Sequence, residues 1–541
     1  MRYVLNLLMS CILLSLIACG GGSSLPAVDD SDSDSDSESS STTITVSLGA
    51  SPATIFEISS RNVQIGADID GVVAGELAGS AAVLSGDGSR LALSAVSNDE
   101  VTANAGQVRV YELSGSTWTQ IGSDINGETQ NDYSGSTLSL STDGSILAIG
   151  ADSYDGVAGF DSGYVRVFEF TNNEWSQLGA DIEGEAANDF SADSMALSSD
   201  GTILAIGAYL NDGAADNAGH VRVYEYNGTA WIQLGQDIDG EAAADFSGKS
   251  VALSSDGHTL AIGAIFNDGA ALQAGHVRVY AYNTGSSTWV QVGNDIDGES
   301  ESDLSGMSVD LSSDGTIVAI VASEAGGDNR NGQVRVFELV GSTWTQVGSD
   351  LDGDESGDEL GQDVALSADG SVLVVASGLS GYVRVHRLVD GEWVQHGETL
   401  LEEADGDSFG GSLSLSDDGS MLSVGASAND GAGSDAGHVR VFDLQELSIV
   451  STVTATISQA ASSNVVVTLA ATGTASGESV DYTLSSTTIT IAQGDTTATA
   501  SVTALTDASS DDDETVILDI SEVTGAEESS AQQVTITIDE G

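Results

Sequence analysis

Asp237, Asp239, Glu241 and Asp245 put oxygen ligands at positions one, three, five and nine of one short stretch, the spacing from which a looped calcium site draws carboxylates. The spacing recurs at Asp124/Asn126/Glu128/Asp132, Asp181/Glu183/Glu185/Asp189, Asp295/Asp297/Glu299/Asp303 and Asp350/Asp352/Asp354/Asp358. Two further copies break it, one at Asp68, Asp70, Val72 and Glu76, the other at Glu398, Leu400, Glu402 and Gly406. In the regular copies glycine stands at position four, whereas a calcium loop turns sharply at position six. Two chemistries compete: calcium ligation, and solvated acidic connections that keep strand edges from pairing with other molecules.

The elements that position these carboxylates are set by a repeat. A Val-Arg-Val triplet begins at Val108, Val165, Val221, Val277, Val334, Val383 and Val439, in steps of 57, 56, 56, 57, 49 and 56 residues. Such a period suits one four-stranded propeller blade. One copy reads Ser250–Gly257, Thr259–Ala264, His276–Tyr280 and Trp289–Gly293, short alternating runs with an Asp-Gly hairpin signal between the first two. The first copy supplies a fourth strand alone and the last stops after its third. Val63 to Ile69 is therefore expected to complete the blade of Ser412–Ser416, Met421–Ala426 and His438–Asp443, closing a seven-bladed ring without open edges.

Arg109, Arg166, Arg222, Arg278, Arg335, Arg384 and Arg440 centre the triplets and are seven of the thirteen basic residues. A strand arginine flanked by valines points to the opposite face and needs a carboxylate or carbonyls there, so repeated ion pairs between blades are expected. An anion-binding ring is the lesser reading, because third strands lie away from the centre. His220, His276 and His438 follow Ala-Gly at equivalent points of three blades. One metal cannot reach all three across a ring, which favours capping or packing. Trp118, Trp175, Trp231, Trp289, Trp344 and Trp393 open the fourth strands and read as blade-to-blade packing, with sugar stacking as the alternative. The sixth copy drops most of one loop between Ala376 and Tyr382, which makes its rim a candidate groove.

The chain carries 13 basic and 83 acidic residues, a net charge of −70 that repels nucleic acid and anionic lipid and leaves cations, calcium above all, as natural counterparts. Met1-Arg2 and the apolar run Val4–Ile17 have a signal-peptide layout, too short to span a bilayer. Once that segment and Cys11 are removed, Cys19 is the one cysteine left, which excludes disulfides, thiolate metal sites and cysteine catalysis. The Ser/Asp alternation that follows has nothing apolar to bury and reads as a disordered tether. No nucleophile elbow, zinc motif or phosphate loop stands outside the repeat.

Three resemblances add to this. Leu16-Ile17-Ala18-Cys19 resembles the bacterial lipobox, implying lipidation of Cys19, and the following Gly20 implies an outer-membrane destination. Phe409-Gly410-Gly411 and Phe246-Ser247-Gly248, with Gly207-Ala208, Gly263-Ala264 and Gly425-Ala426, resemble the FG-GAP repeats of integrin-type propellers over residues 63–443. The aspartate-rich calcium loop of that family is absent, leaving an Asp-Gly turn such as Asp256-Gly257. Ser479–Thr483, Thr488–Asp495 and Asp512–Val516 resemble Calx-beta domains, which implies a seven-stranded sandwich with Asp507, Asp511, Asp512 and Asp513 as candidate calcium ligands.

The expected order is a signal peptide at 1–18, a tether at 19–41, a stalk segment at 42–62, the propeller at 63–444 and a Calx-beta-like sandwich at 447–541. The fold class is all-β. The expected function is a non-catalytic, lipid-anchored outer-membrane protein for adhesion or for binding a protein or glycan ligand, with calcium as a possible cofactor and no organic one. A propeller lectin, and a propeller hydrolase or lyase, are the alternatives.

Overall fold

The computed structural model describes residues 44–541 except 57–59, 328–329, 378, 390, 447–449, 476–480, 506–513, 529, 531 and 540–541. Every regular element among the described residues is a β-strand. Seven sheets succeed one another, each a four-stranded antiparallel meander with a two-residue strand beside the start of its third strand. In the fourth blade these are Ser247–Leu253, Thr259–Ala264, His276–Asn283 and Thr288–Gln291, with Ile296–Asp297 pairing back to His276 and Val277. The innermost strands lie against one another in order, and Phe409–Leu415 of the seventh blade meets Ala78–Leu84 of the first.

The hairpin between first and second strands has one chemistry throughout. Asp200 accepts the Ser198 hydroxyl at 2.8 Å and the Thr202 N–H at 3.0 Å, fixing the turn before Gly201. Partial burial pushes the Asp200 carboxyl up, but the Thr202 and Ser198 bonds outweigh it and hold the group below the usual carboxylate range. The equivalent aspartates 87, 143, 256, 314, 369 and 418 are lowered in the same way.

Blades pack through apolar side chains of alternate strand positions. Val277, Val279 and Ile296 of the fourth meet Val309, Val318, Ile320 and Phe337 of the fifth. Each such side chain, fully removed from water, contributes about 1.5–3 kcal/mol. Ser60–Gln64 closes the ring by pairing antiparallel with Phe442–Glu446, and Ile69–Asp70 pairs with His438 and Val439.

The described residues 45–56, expected within a stalk segment at 42–62, are instead strands of the sandwich. Thr45–Ser51 pairs antiparallel with Val450–Ile457, from Val46 opposite Ile457 to Ser51 opposite Thr452. Thr54–Phe56 runs parallel to Gln533–Asp539. Both belong to two facing five-stranded sheets whose common core holds Val46, Val453, Val465, Leu518 and Ile536. Two strands before the propeller are thus needed to complete the sandwich after it, which therefore exceeds seven strands and carries the propeller as an insertion. The reason is hydrophobic. Val46 is fully buried in that core, and Val450–Ile457, flanked on its other side by Thr497–Ala504, would otherwise present an open edge.

Candidate functional site

The seven arginines join neighbouring blades. Arg278 donates to the Asp239 carbonyl at 2.8 Å and sits 3.5 Å from the Glu241 carboxylate, both on the preceding blade's acidic loop. Its guanidinium also lies 5.5 Å from the centre of the Tyr280 ring. Arg166 and Glu128, Arg222 and Glu185, and Arg335 and Glu299 repeat the pairing at 3.0, 3.3 and 3.6 Å. Arg384 pairs with Asp354, and Arg440 takes the Leu401 carbonyl at 2.6 Å.

The carboxylates of one acidic loop consequently do not converge on a single cation. Position one is held by a glutamine, as Gln233 Nε2 donates to Asp237 at 2.5 Å and Gln291 Nε2 to Asp295 at 2.6 Å. Position five, Glu241 or Glu299, faces the next blade's arginine. Position nine turns inward: Asp245 is 3% exposed and accepts the Ala242 N–H at 2.8 Å, and Asp303 accepts the Ser300 N–H at 2.7 Å. Asp239 and Asp297 pair across the sheet with His220 and His276. Each position of the acidic loop thus has its own structural partner. Glycine at position four is explained too, since a Cβ on Gly240 would lie 2.1 Å from the Ala218 carbonyl oxygen.

The last copy is read one residue out of register in the sequence. Thr399 holds position one, accepting Gln395 Nε2 at 3.2 Å, and Asp407 holds position nine, accepting the Ala404 N–H at 3.0 Å. Position five is then Glu403, 3.9 Å from Arg440. The extra acids Glu398 and Glu402 had masked this alignment.

Five of the six tryptophans are wired between blades by their indole N–H, and Trp175 packs against the core without such a bond. Trp289 Nε1 donates to Leu234 O at 2.8 Å and Trp231 Nε1 to Leu178 O at 2.9 Å, so these indole edges are not free for a sugar. At the shortened sixth-blade loop Ser380 and the Tyr382 hydroxyl bond the Asp358 carboxylate at 2.9 and 3.2 Å. Asn211 and Asn267 fill the equivalent place in longer loops, donating to Asp189 and Asp245. Burial, reinforced by the neighbouring arginines, pushes His220 and His276 down to about 4. Cys19, Asp507, Asp511, Asp512 and Asp513 lie outside the described residues.

What the recurrences hide is a position that does not recur. One residue near the start of each first strand lines the mouth of the central channel, and it reads Ser80, Ser136, Asp193, Lys249, Met307, Gln362 and Gly411 around the ring. The channel encloses about 490 Å³. Lys249 is the one lysine in the whole chain, a singular residue visible in the sequence but passed over in a search for repeats. Its Nζ lies 2.8 and 3.1 Å from the two Asp193 oxygens and 4.7 Å from the centre of the Tyr209 ring.

Half-buried aromatic rings extend from that ion pair. Tyr209 lies 6.0 Å from Phe190 and 5.6 Å from Phe246, which is 4.8 Å from Phe266. Burial lifts the Asp193 carboxyl although Lys249 opposes it, and Asp152 is raised by burial and then by the Asp193 charge. Asp193 follows Ala192 at φ +79°, where the fourth blade has Gly248 at +89°. An L-residue held there costs about 1–2 kcal/mol, and strain of this kind collects at functional sites.

No protein-family profile and no curated protein matches this chain. Among solved structures it is similar to the β-propeller domain of Myceliophteria thermophila Cps50 (Swd1), at 11% identity and a TM-score of 0.45, covering 71% of this chain and 98% of that one. It is similar to Kuenenia stuttgartiensis hydrazine synthase at 13% identity and a TM-score of 0.44, with coverage of 71% and 98%. The periplasmic gluconolactonase PpgL of Pseudomonas aeruginosa is similar at 19% identity and a TM-score of 0.42, with coverage of 63% and 93%.

Proposed function

We propose that this is a non-catalytic binding protein, anchored through a lipidated Cys19 to a bacterial outer membrane, that takes a glycan at the channel mouth. The observation that carries this reading is the pairing of the chain's one lysine with Asp193 at a varying repeat position, beside half-buried aromatic rings. Sugars offer apolar C–H faces that stack on aromatic rings and hydroxyls that bond charged groups. Tyr209 and Phe246 supply the first, Lys249, Asp193 and Asp152 the second. The five tryptophans whose indole N–H bonds the neighbouring blade are not part of it.

The experiment is a glycan array followed by titration of the best binder against the full chain, in calcium and in chelator. Lys249→Ala and Tyr209→Ala should each weaken binding at least tenfold, whereas Thr202→Ala at the opposite end of the blade should not. Undiminished binding by both mouth variants, or no glycan bound, would overturn the reading.

A further inference from the structure

Three blades begin their third strand with a histidine, and each lies among carboxylates drawn from two different loops. A ring nitrogen of His220 and carboxylate oxygens of Asp237 and Glu185 are mutually within 4.8 Å. The same holds for His276 with Asp295 and Glu241, and for His438 with Asp68 and Glu403. In each, the aspartate is position one of the histidine's own blade and the glutamate is position five of the blade before. The third cluster exists only because the ring closes, since Asp68 follows the closing strand.

Two blades without histidine carry at that position a glutamine, whose amide donates to polar side chains around it. Gln107 Nε2 donates to Asn126 and Glu100 at 3.0 and 2.6 Å, and Gln333 Nε2 lies 3.3 Å from both Asp350 and Asp352. His276 does not do this. It is 1% exposed, its Nδ1 stands 3.9 Å from Asp295, and its Nε2 has no hydrogen-bond partner. A sealed imidazole with one nitrogen unpartnered and the other 3.9 Å from a carboxylate is costly without a guest. Arg278 spends its short bond on the Asp239 carbonyl and stands 3.5 Å from Glu241, so the half-exposed glutamate can rotate without breaking the joint between blades.

We propose that His220, His276 and His438 each complete a separate interblade site for a zinc-class divalent ion, with Asp237 and Glu185, Asp295 and Glu241, and Asp68 and Glu403 as carboxylate ligands. One imidazole and two carboxylates favour zinc over calcium, which prefers an all-oxygen shell. Metal–ligand bonds of about 2.0–2.2 Å require the oxygens to move inward by roughly 1 Å, within reach of exposed acidic side chains. The three sites account for three of the six histidines, and each ion bridges one pair of neighbouring blades, three pairs in all.

Equilibrium dialysis of the purified full chain against zinc, with excess calcium to occupy nonspecific acidic surface, tests this. Three zinc ions per chain are expected. His220→Gln, His276→Gln and His438→Gln, which copy the Gln107 and Gln333 blades, should each remove one, and Glu241→Gln should weaken one site at least tenfold while melting stays within a few degrees. Zinc uptake that is absent, that calcium abolishes, or that the histidine variants leave at three would overturn the proposal.

Discussion

Arg109 bonds Glu76 at 2.6 Å with both side chains almost wholly removed from water. Elsewhere the partner carboxylate is at position five of the loop, but here position five is Val72, and the longer acid at position nine reaches the arginine instead. Glu76 keeps its loop duties as well, accepting the Val72 N–H at 2.5 Å and Asn98 Nδ2 at 2.8 Å. One residue does the work of two.

That economy is testable. Glu76→Ala strands a buried guanidinium and should cost about 3–5 kcal/mol, read as a fall in the urea midpoint. Glu76→Asp should also destabilise, because the shorter acid can cap the loop but not reach Arg109. Adding Val72→Glu to Glu76→Asp rebuilds the arrangement of the other blades and should recover most of the loss. A double variant no better than Glu76→Asp would disprove the compensation.

The second expectation concerns pH. Burial lifts Asp310 to about 7 against the Leu366 and Leu311 N–H bonds, and Asp363 to about 6 against bonds from Leu413, Ser308 and Val364. Unfolded aspartate titrates near 4, so between about pH 4 and these values the folded chain holds protons that the unfolded chain lacks. Stability should fall as pH rises through that window, by up to about 1.4 kcal/mol per pH unit for each group. Ser139 and Ser414 do the job of Asp310 in other blades, accepting Leu197 and Leu84 N–H at 3.0 Å. Asp310→Ser should therefore shrink the difference between melting temperatures at pH 5 and pH 8; an unchanged difference would rule out this group as a source.

Third, residues 447–541 expressed alone should fail to fold, exposing protease sites throughout, because Val46 and two strands of the sandwich are missing. Joining residues 44–57 to 448–541 through a short flexible linker should restore a cooperative thermal transition, and residues 60–446 should fold as an independent ring. Cooperative unfolding of 447–541 by itself would show that the early strands are dispensable.

Most of the ring was legible because each repeat states its own pairing. The Asp256-Gly257 turn fixes a hairpin locally, and the offset ends leave one partner for Val63–Gln64. The alternation of Thr45–Ser51 announced a strand as clearly, but not its partner: any exposed edge would accept it, and the choice of Val450–Ile457 depends on a core formed some four hundred residues later. The acidic spacing is ambiguous for a different reason. Carboxylates at regular intervals look alike in sequence whether they converge or diverge, and Asp245 and Glu241 diverge. Lys249 was overlooked because periodicity rewards what returns.

The placement of the propeller inside the sandwich also determines where mechanical load can travel. Thr54–Phe56 lies beside Gln533–Asp539, so the strands before and after the propeller are stitched together within one β-sheet. Tension between the chain before Thr45 and the chain after Asp539 passes through those few strands and never crosses a blade. A pull applied through the sandwich therefore leaves the geometry at Lys249 and Asp193 unloaded.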